Sequence, residues 1–443
     1  MQQGIRHPAR LVPLAFLAVI AVGTLLLMLP MARAGPGGAP LLTALFTSTS
    51  AVCVTGFSTV DFASYWTPFG HALILALFQI GGFGIMSAAT LLGVIAGRRM
   101  RLSARLIAHA ERRSLDASDV LALLRLILLV TLAVELALSG WLTMLFRFGY
   151  GLPWDEALWS GLFHGVSAFT NAGFSLHHDS LVGFRSDAFV IVPIMLAITA
   201  GAIGFPVLHE LGHELRNPSA WSLHTKVTLL GSAILIGLGF AAILAAEWTN
   251  PATLGPMNFG DKLLNAGFHS VVPRTAGFNT LDVGGFRLET MAVNYVLMFI
   301  GGGSAGTAGG IKVTTFFLLG LVVWSEIRGE RDVAIFRRRI DTQTERQALT
   351  IVLLAMGLIG LGTLIVLAVT DFPFSHVLFE TVAAFSTAGM TTGITPHLPP
   401  SAQIVIIILM FVGRVGTVTV ATALAMRGGR KPYRYPEERP IVG

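Results

Sequence analysis

The sequence predicts an all-α polytopic membrane protein in which four repeats of helix, re-entrant helix and helix surround one central pore. Three observations carry that prediction. The 443 residues are 53% hydrophobic and 12% charged, with a mean hydropathy of +0.72, where a soluble chain carries roughly 25% charged residues. Apolar runs long enough to cross a bilayer recur along the chain. A glycine motif recurs four times at intervals of about a quarter of the length. This composition excludes an ordinary soluble enzyme and a disordered regulator. With a single cysteine, Cys53, it also excludes a disulfide scaffold.

The apolar runs fall at 11–30, 68–97, 121–146, 187–208, 225–247, 289–324, 348–370 and 402–426. The first follows Arg6 and Arg10 in the manner of a signal peptide. It is long, it ends at Pro30, and it lacks an A-x-A cleavage site, so it reads as a span. Basic residues collect in alternate connections: Arg98 to Arg113, Arg216 and Lys226, Arg328 to Arg346, and Arg427 to Arg439. Together with the N-terminal pair, these segments hold 21 of the 30 Lys and Arg, against 6 in the loops 31–67, 147–187, 248–288 and 371–401. The positive-inside rule places both termini and the basic loops in the cytoplasm. The net charge of +6 needs no nucleic acid to explain it.

Each of the four less basic loops contains an apolar run too short to cross, followed by glycine. The motifs are Thr55-Gly56-Phe57-Ser58, Asn171-Ala172-Gly173-Phe174, Thr275-Ala276-Gly277-Phe278 and Thr387-Ala388-Gly389-Met390. A second glycine signal lies inside the following span, at Gly82, Gly201, Gly302 and Gly413, keeping step with the first. Repeated register of this kind divides the chain into units 1–113, 114–218, 219–340 and 341–443.

The physics of such a unit is specific. A half-helix entering the membrane points its negative C-terminal end inward. The extended backbone after it survives at that depth only if it is buried in protein or lines a wet cavity. Four such segments around one axis present a ring of carbonyl oxygens, for which a cation exchanges its hydration shell. Glycine reaches positive φ and leaves the path open. Thr55, Thr275 and Thr387 add hydroxyl or carbonyl oxygens, with Asn171 at the corresponding place in the second unit. The competing reading is plain glycine turns between ordinary helices.

The stretch Gly301-Gly302-Gly303-Ser304-Ala305-Gly306-Thr307-Ala308-Gly309-Gly310 predicts a break in the sixth run. At about 1 kcal/mol per glycine relative to alanine, it opposes helix by several kcal/mol. A glycine face for tight helix packing is the alternative. Arg414 lies within the last run, where a charge marks function. It either biases a nearby loop, raises the barrier to a cation, or caps backbone carbonyls. Glu135 lies within 121–146 and either binds an ion or hydrogen-bonds to a neighbouring helix. Asp61, Asp179 and Asp282 follow the loop glycines, as an outer vestibule or as solvated loop residues.

His209-Glu210-Leu211-Gly212-His213 matches H-E-x-x-H and, taken alone, proposes an intramembrane zinc metalloprotease. No third ligand follows at a recognisable spacing, and the motif explains none of the repeats. No Gly-rich phosphate loop with a G-K-[ST] ending is present, so no nucleotide is expected on this chain. The chain is not expected to be an enzyme.

The residues resemble the Trk/Ktr/HKT superfamily of potassium transporters, most closely its KtrB-type membrane subunits. Thr47 to Gly56 looks like the family's first filter, and Gln79-Ile80-Gly81-Gly82 like the start of its inner helix. Gly309-Gly310-Ile311-Lys312-Val313 and Gly413-Arg414-Val415-Gly416 are similar to later landmarks. The resemblance implies four M1–P–M2 repeats in the cell (inner) membrane of a bacterium and a homodimer with one pore per subunit. It implies potassium as the transported ion and sodium as an activator. The implied filter is Val54, Thr55, Gly56, Asn171, Ala172, Gly173, Thr275, Ala276, Gly277, Thr387, Ala388 and Gly389. It also implies that 301–310 obstructs the pore as a gate, held by Arg414, until a cytosolic nucleotide-binding RCK ring of KtrA or TrkA type changes shape. Glycine at all four filter positions favours potassium, since sodium-passing relatives often carry serine at the first. A TrkH-like nucleotide-gated channel and a sodium-conducting relative are the nearby alternatives. Phe57 and Thr417 depart from the family's Leu and Pro.

Overall fold

The computed structural model describes residues 8–105, 117–330, 332–336 and 338–416. Arg6, Arg112, Arg113, Arg331, Arg337, Thr417 and the basic tail from Arg427 to Arg439 lie outside them. The first quarter contains α1 (Pro8–Leu27), α2 (Leu41–Val52), the single turn α3 (Phe62–Tyr65) and α4 (Pro68–Arg105). The second contains α5 (Ala117–Phe148), α6 (Trp154–Thr170), α7 (Ala188–Ile203) and α8 (Phe205–Glu214). The third contains α9 (Leu223–Glu247), α10 (Phe259–Val271), α11 (Leu288–Phe299) and α12 (Val313–Ile327). A two-residue hairpin, β1 (Ala334–Ile335) against β2 (Arg338–Arg339), leads to α13 (Thr342–Ala368), α14 (Phe374–Ser386) and α15 (Pro400–Phe411).

Among the described residues, four helices are long and apolar enough to cross a membrane unaided: 68–90, 121–148, 223–247 and 342–368. The other expected spans are shorter or interrupted, each for a local reason. The run 11–30 stops as helix at Leu27, ahead of a 3-10 turn over Pro30–Ala32. The run 289–324 is split between α11 and α12 by the glycine stretch, as the sequence predicts. The run 402–426 leaves α-helix at Phe411 and enters a π turn over Val412–Gly416.

The run 187–208 corrects an expectation, because it is not one straight span. α7 and α8 meet at a 103° bend. Gly204 sits between them with φ +100°, and a Cβ there would fall 2.4 Å from the Ser304 carbonyl oxygen. Pro206 follows at the start of α8, where its missing N–H costs nothing.

The short helices α2, α6, α10 and α14 have clear starts. Pro40, Pro153 and Pro373 precede three of them, and the Asn258 side chain caps the fourth through the Asp261 N–H. Asp155 and Glu156 in the first turn of α6 suit the positive end of its dipole. Their inner halves are buried, whereas Leu129 and Leu136 on α5 and Leu353 and Leu364 on α13 are exposed. In a protein of this composition, such leucines face lipid.

α5 and α6 cross closely through small residues. Gly161 and Gly165, four apart on α6, face Thr143 and Ser139, four apart on α5. A Cβ at Gly165 would lie 2.9 Å from the Ser139 backbone nitrogen. Gly165→Leu is therefore expected to drive the helices apart and to cost about 1–3 kcal/mol or more from overpacking. A lowered unfolding temperature in detergent checks this, against an unchanged value for a leucine at exposed Gly140, which has open space around it.

Candidate functional site

The turns after α2, α6, α10 and α14 share a backbone pattern. Val54, Asn171, Thr275 and Thr387 are left-handed, with φ of 56°, 59°, 75° and 51°. Two residues on, Gly56, Gly173, Gly277 and Gly389 are left-handed again, at 89°, 69°, 74° and 72°. The residues between them are not. Alternating hand turns successive carbonyls toward the same side of the chain, whereas a regular strand alternates them. It also corrects the expected register. Thr55 takes the place of Ala172, Ala276 and Ala388, and Val54 is the counterpart of Asn171, Thr275 and Thr387. Counting back from the glycine would have revealed this in the sequence.

Three of the turns follow from helix C-capping. The N–H groups of Thr55, Ala172 and Ala388 reach the carbonyls five residues back, at 2.7–2.8 Å, and those of Val54, Asn171 and Thr387 reach three back. This double bond pattern is a Schellman cap with its left-handed residue. The third turn differs. The Arg274 N–H bonds to the Val271 carbonyl and Ala276 N–H to Val272, at 3.1 and 2.9 Å.

The four turns meet. A Cβ at Gly56 would lie 2.5 Å from the Ala172 carbonyl oxygen, and one at Gly173 would lie 2.6 Å from that of Ala276. At Gly277 it would lie 3.3 Å from the Ala388 oxygen, and at Gly389 1.9 Å from that of Thr55. The contacts run from the first turn round to the fourth and back to the first. No side chain fits at three of these glycines without displacing backbone, and positive φ disfavours one at all four. The hydroxyls play unequal parts. That of Thr275 accepts from Gly309 N–H at 3.2 Å, whereas those of Thr55 and Thr387 are buried without a protein partner. The Asn171 amide, with its nitrogen toward the carbonyls of Ile198 and Ala168, points into α7.

The stretch 301–310 is a loop packed directly against these turns. Its neck is closed by Gly301 N–H to Ile311 O at 2.9 Å and Val313 N–H to Gly302 O at 3.0 Å. Its body leans on the end of α7, through Gly303 N–H to Ala202 O at 2.7 Å and Thr307 N–H to Gly201 O at 3.0 Å. The Phe205 N–H at the bend returns a bond to Ala305 O at 3.3 Å. Thr307 Oγ1 donates to the Phe169 carbonyl at the end of α6, at 3.3 Å. Gly301, Gly302, Gly303, Ala305, Gly306, Thr307, Ala308, Gly309 and Gly310 are buried. Ser304 is half-buried and reaches the Thr314 hydroxyl at 3.3 Å.

Three cations, Arg414 and Arg274 buried and Lys312 half-buried, hold this loop by its carbonyls. Arg414 donates Nη1 to Thr307 O, and its Nε and Nη2 have no protein partner. Lys312 Nζ donates to Ala308 O at 2.6 Å. Arg274 Nε reaches Gly301 O at 3.4 Å, while its Nη2 donates to Ser232 Oγ at 2.9 Å. Sequence reasoning singled out Arg414, named Lys312 only as part of a family landmark without a role, and missed Arg274. Lys312 stands beside the glycine run and Arg274 beside Thr275, so adjacency was the available signal. Among the described residues, none of the three has a carboxylate partner. The ion pairs among the described residues are the surface pairs Asp61–His178, Arg328–Glu330 and Arg339–Asp332.

The remaining candidates have local employment. Glu135 accepts from Gln79 Nε2 at 2.9 Å, which joins α5 to α4 and favours the neighbouring-helix reading. The Asp282 carboxylate accepts from Gly284 N–H at 3.0 Å and caps a turn. Asp61 stands at the start of α3, in the loop after the first turn. Partial burial works against its charge, but the Ser64 hydroxyl and the His178 imidazole at 2.6 Å hold it below the usual carboxylate range. Cys53 is buried at the end of α2.

Glu210 of the H-E-x-x-H motif accepts from the Ser222 N–H and hydroxyl, at 2.6 and 2.7 Å, and from the Thr225 hydroxyl. It thereby ties α8 to the N-terminus of α9. His213 Nδ1 is taken by the His209 carbonyl at 2.9 Å.

Comparison with known proteins gives a family model described as TrkH, cation transport protein, which matches residues 2–429. The chain is 36% identical to the Ktr system potassium uptake protein B of Bacillus subtilis, over 98% of this chain and 97% of that one. It is 33% identical to the potassium/sodium uptake protein NtpJ of Enterococcus hirae, over 98% and 97%. The crystal structure of the potassium transporter TrkH from Vibrio parahaemolyticus has the same fold, with a TM-score of 0.74 at 18% identity over 94% of this chain and 85% of that one.

Glu210→Ala is expected to cost about 1–3 kcal/mol through the donors of Ser222 and Thr225 left without their acceptor, read as a lower unfolding temperature. Zinc content is expected to be negligible in both proteins. Stoichiometric zinc that is lost in a His209→Ala, His213→Ala variant would restore the metalloprotease reading.

Proposed function

The chain belongs to the TrkH family of cation transport proteins, and from that premise we propose that it carries potassium into the cell through the ring formed by its four glycine turns. The four quarters, 1–113, 114–218, 219–340 and 341–443, act as M1–P–M2 repeats, with α2, α6, α10 and α14 as pore helices. The carbonyls of Val54, Thr55 and Gly56 and of their counterparts replace the water around the ion. The C-terminal ends of the pore helices add negative potential where the ion loses its shell. The observation that carries this reading is the convergence of four turns of alternating hand, with glycine where any Cβ would meet the next turn. Potassium is chosen because the relatives are named for its uptake, and because glycine stands at all four positions. The NtpJ name supports a part for sodium, as activator or as second ion.

The loop 301–310 acts as the gate, with Arg414 holding it shut. What supports this is its position against the turns and the three cations bonded to its carbonyls. A cation bound to loop oxygen beneath the ring also stands where a passing ion needs negative potential, so closure is both steric and electrostatic. A cytosolic nucleotide-binding ring of RCK type opens it, and the chain itself binds no nucleotide. The reading includes a homodimer in the inner membrane with both termini cytoplasmic. The names of the Ktr system relatives support a multi-component assembly.

Expression in a bacterium lacking its own potassium uptake systems is expected to restore growth at low external potassium, more so with sodium present. Gly277→Ala, made at normal amounts, is expected to abolish rescue, and rescue by that variant would overturn the reading. Arg414→Ala is expected to raise flux without the regulatory partner several-fold. Unchanged flux in a folded variant removes Arg414 from the gate.

A further inference from the structure

We propose that Glu380 is a positioning residue for selectivity, a clamp that fixes the outer limb of the fourth turn to its pore helix. The proposal rests on the filter reading above and adds to it the residue that sets the geometry of one limb.

Glu380 lies on α14, nine residues before Gly389, and is 1% exposed. Its Oε1 accepts from Thr391 Oγ1 at 2.6 Å, Thr392 N–H at 2.9 Å and Thr392 Oγ1 at 3.2 Å. Its Oε2 accepts from Thr395 Oγ1 at 2.6 Å. All four partners belong to the limb that leaves the ring just after Gly389. Four donors from a five-residue stretch of loop thus converge on one carboxyl group.

The other limbs have weaker versions or none. His164 on α6, nine residues before Gly173, reaches only the Ser175 hydroxyl, at 3.0 Å. His269 on α10, eight before Gly277, accepts one bond from Thr280 N–H at 3.3 Å. Thr47 on α2, nine before Gly56, has a buried hydroxyl with no protein partner. The contact at this position is thus graded from four bonds on the fourth limb to none on the first, while the second limb has a further tie from Ser167 Oγ to the Phe174 carbonyl at 2.9 Å. The hold on the fourth limb matters at the contact that closes the ring, where Gly389 meets Thr55.

The physical consequence follows from how a carbonyl ring discriminates. The oxygens compensate a dehydrated ion only at the spacing the ion needs. A functional constellation must be held within about 0.5 Å by the shell behind it. A limb freed from its pore helix lets the ring contract around a smaller ion or gape around a larger one. Discrimination falls while the path stays open.

The test measures potassium uptake against external potassium, with and without competing sodium, in cells lacking other uptake systems. Glu380→Leu is expected to raise the KM for potassium by 10-fold or more, with sodium competing, while the maximal rate falls by less than about 3-fold, since the ring is loosened and not blocked. Glu380→Gln keeps an acceptor oxygen for the three-bond cluster and is expected to recover most of the affinity. If Glu380→Leu is not made at normal amounts, the Thr391→Val, Thr395→Val pair decides. It removes two of the four bonds and is expected to raise the KM several-fold. An unchanged KM and sodium sensitivity in a folded Glu380→Leu, or in the threonine pair, overturns the clamp. So does a fall in maximal rate alone. Gly389→Ala separates the two claims. If it abolishes uptake while the clamp variants behave as wild type, only the clamp fails. If Gly389→Ala transports normally, the filter reading itself fails.

Discussion

Peptide groups at membrane depth must find hydrogen bonds inside the protein, and the architecture depends on that constraint. Among the described residues helix satisfies most of it, and two places stand out where it does not. In three of the four turns, the N–H groups ahead of the glycine cap the short helix behind them, and in the third turn, Ala276 N–H bonds back to Val272, so the carbonyl oxygens of the turns are left to find another partner. In the loop 301–310, the neck bonds, the end of α7 and three cations satisfy what no helix can. Exposed main-chain oxygen in a region that excludes water is costly without a positive partner. In the turns, the proposed partner is the transported ion. In the loop it is Arg414, Lys312 and Arg274.

The two places touch. Gly309 N–H binds the Thr275 hydroxyl, and Thr307 reaches the last turn of α6. The bend at Gly204 brings α7 to the same loop, and Glu210 fixes the helix beyond the bend to α9. A motif that in isolation suggests zinc chemistry is explained by a helix cap. The carboxylate that suits a metalloprotease also suits the free N–H groups at a helix start.

Much of the fold was legible because glycine and hydropathy are strong local signals. The eight apolar runs, the four short helices and the break at 301–310 all follow from residues within a few positions of one another. The bend at Gly204 was not legible. Gly204 and Pro206 mark a candidate break, but no local signal shows that the space beside Gly204 is taken by the Ser304 carbonyl, a hundred residues away. The register of Thr55 was misread for a related reason. Like residue types were matched across units, when backbone handedness set the correspondence. The clamping roles of Glu380, His164 and His269 were invisible because their partners lie after the glycine, in loops whose course no periodicity reveals.

The central claim is that the four glycine turns bind a dehydrated alkali ion on their shared axis. The most direct measurement is anomalous scattering from crystals of the protein grown with rubidium or thallium in place of potassium. The account predicts an ion peak on the axis between the carbonyls of Thr55, Ala172, Ala276 and Ala388, which a Gly389→Ala variant lacks. Well-ordered ion peaks elsewhere, with none between those turns, would contradict it.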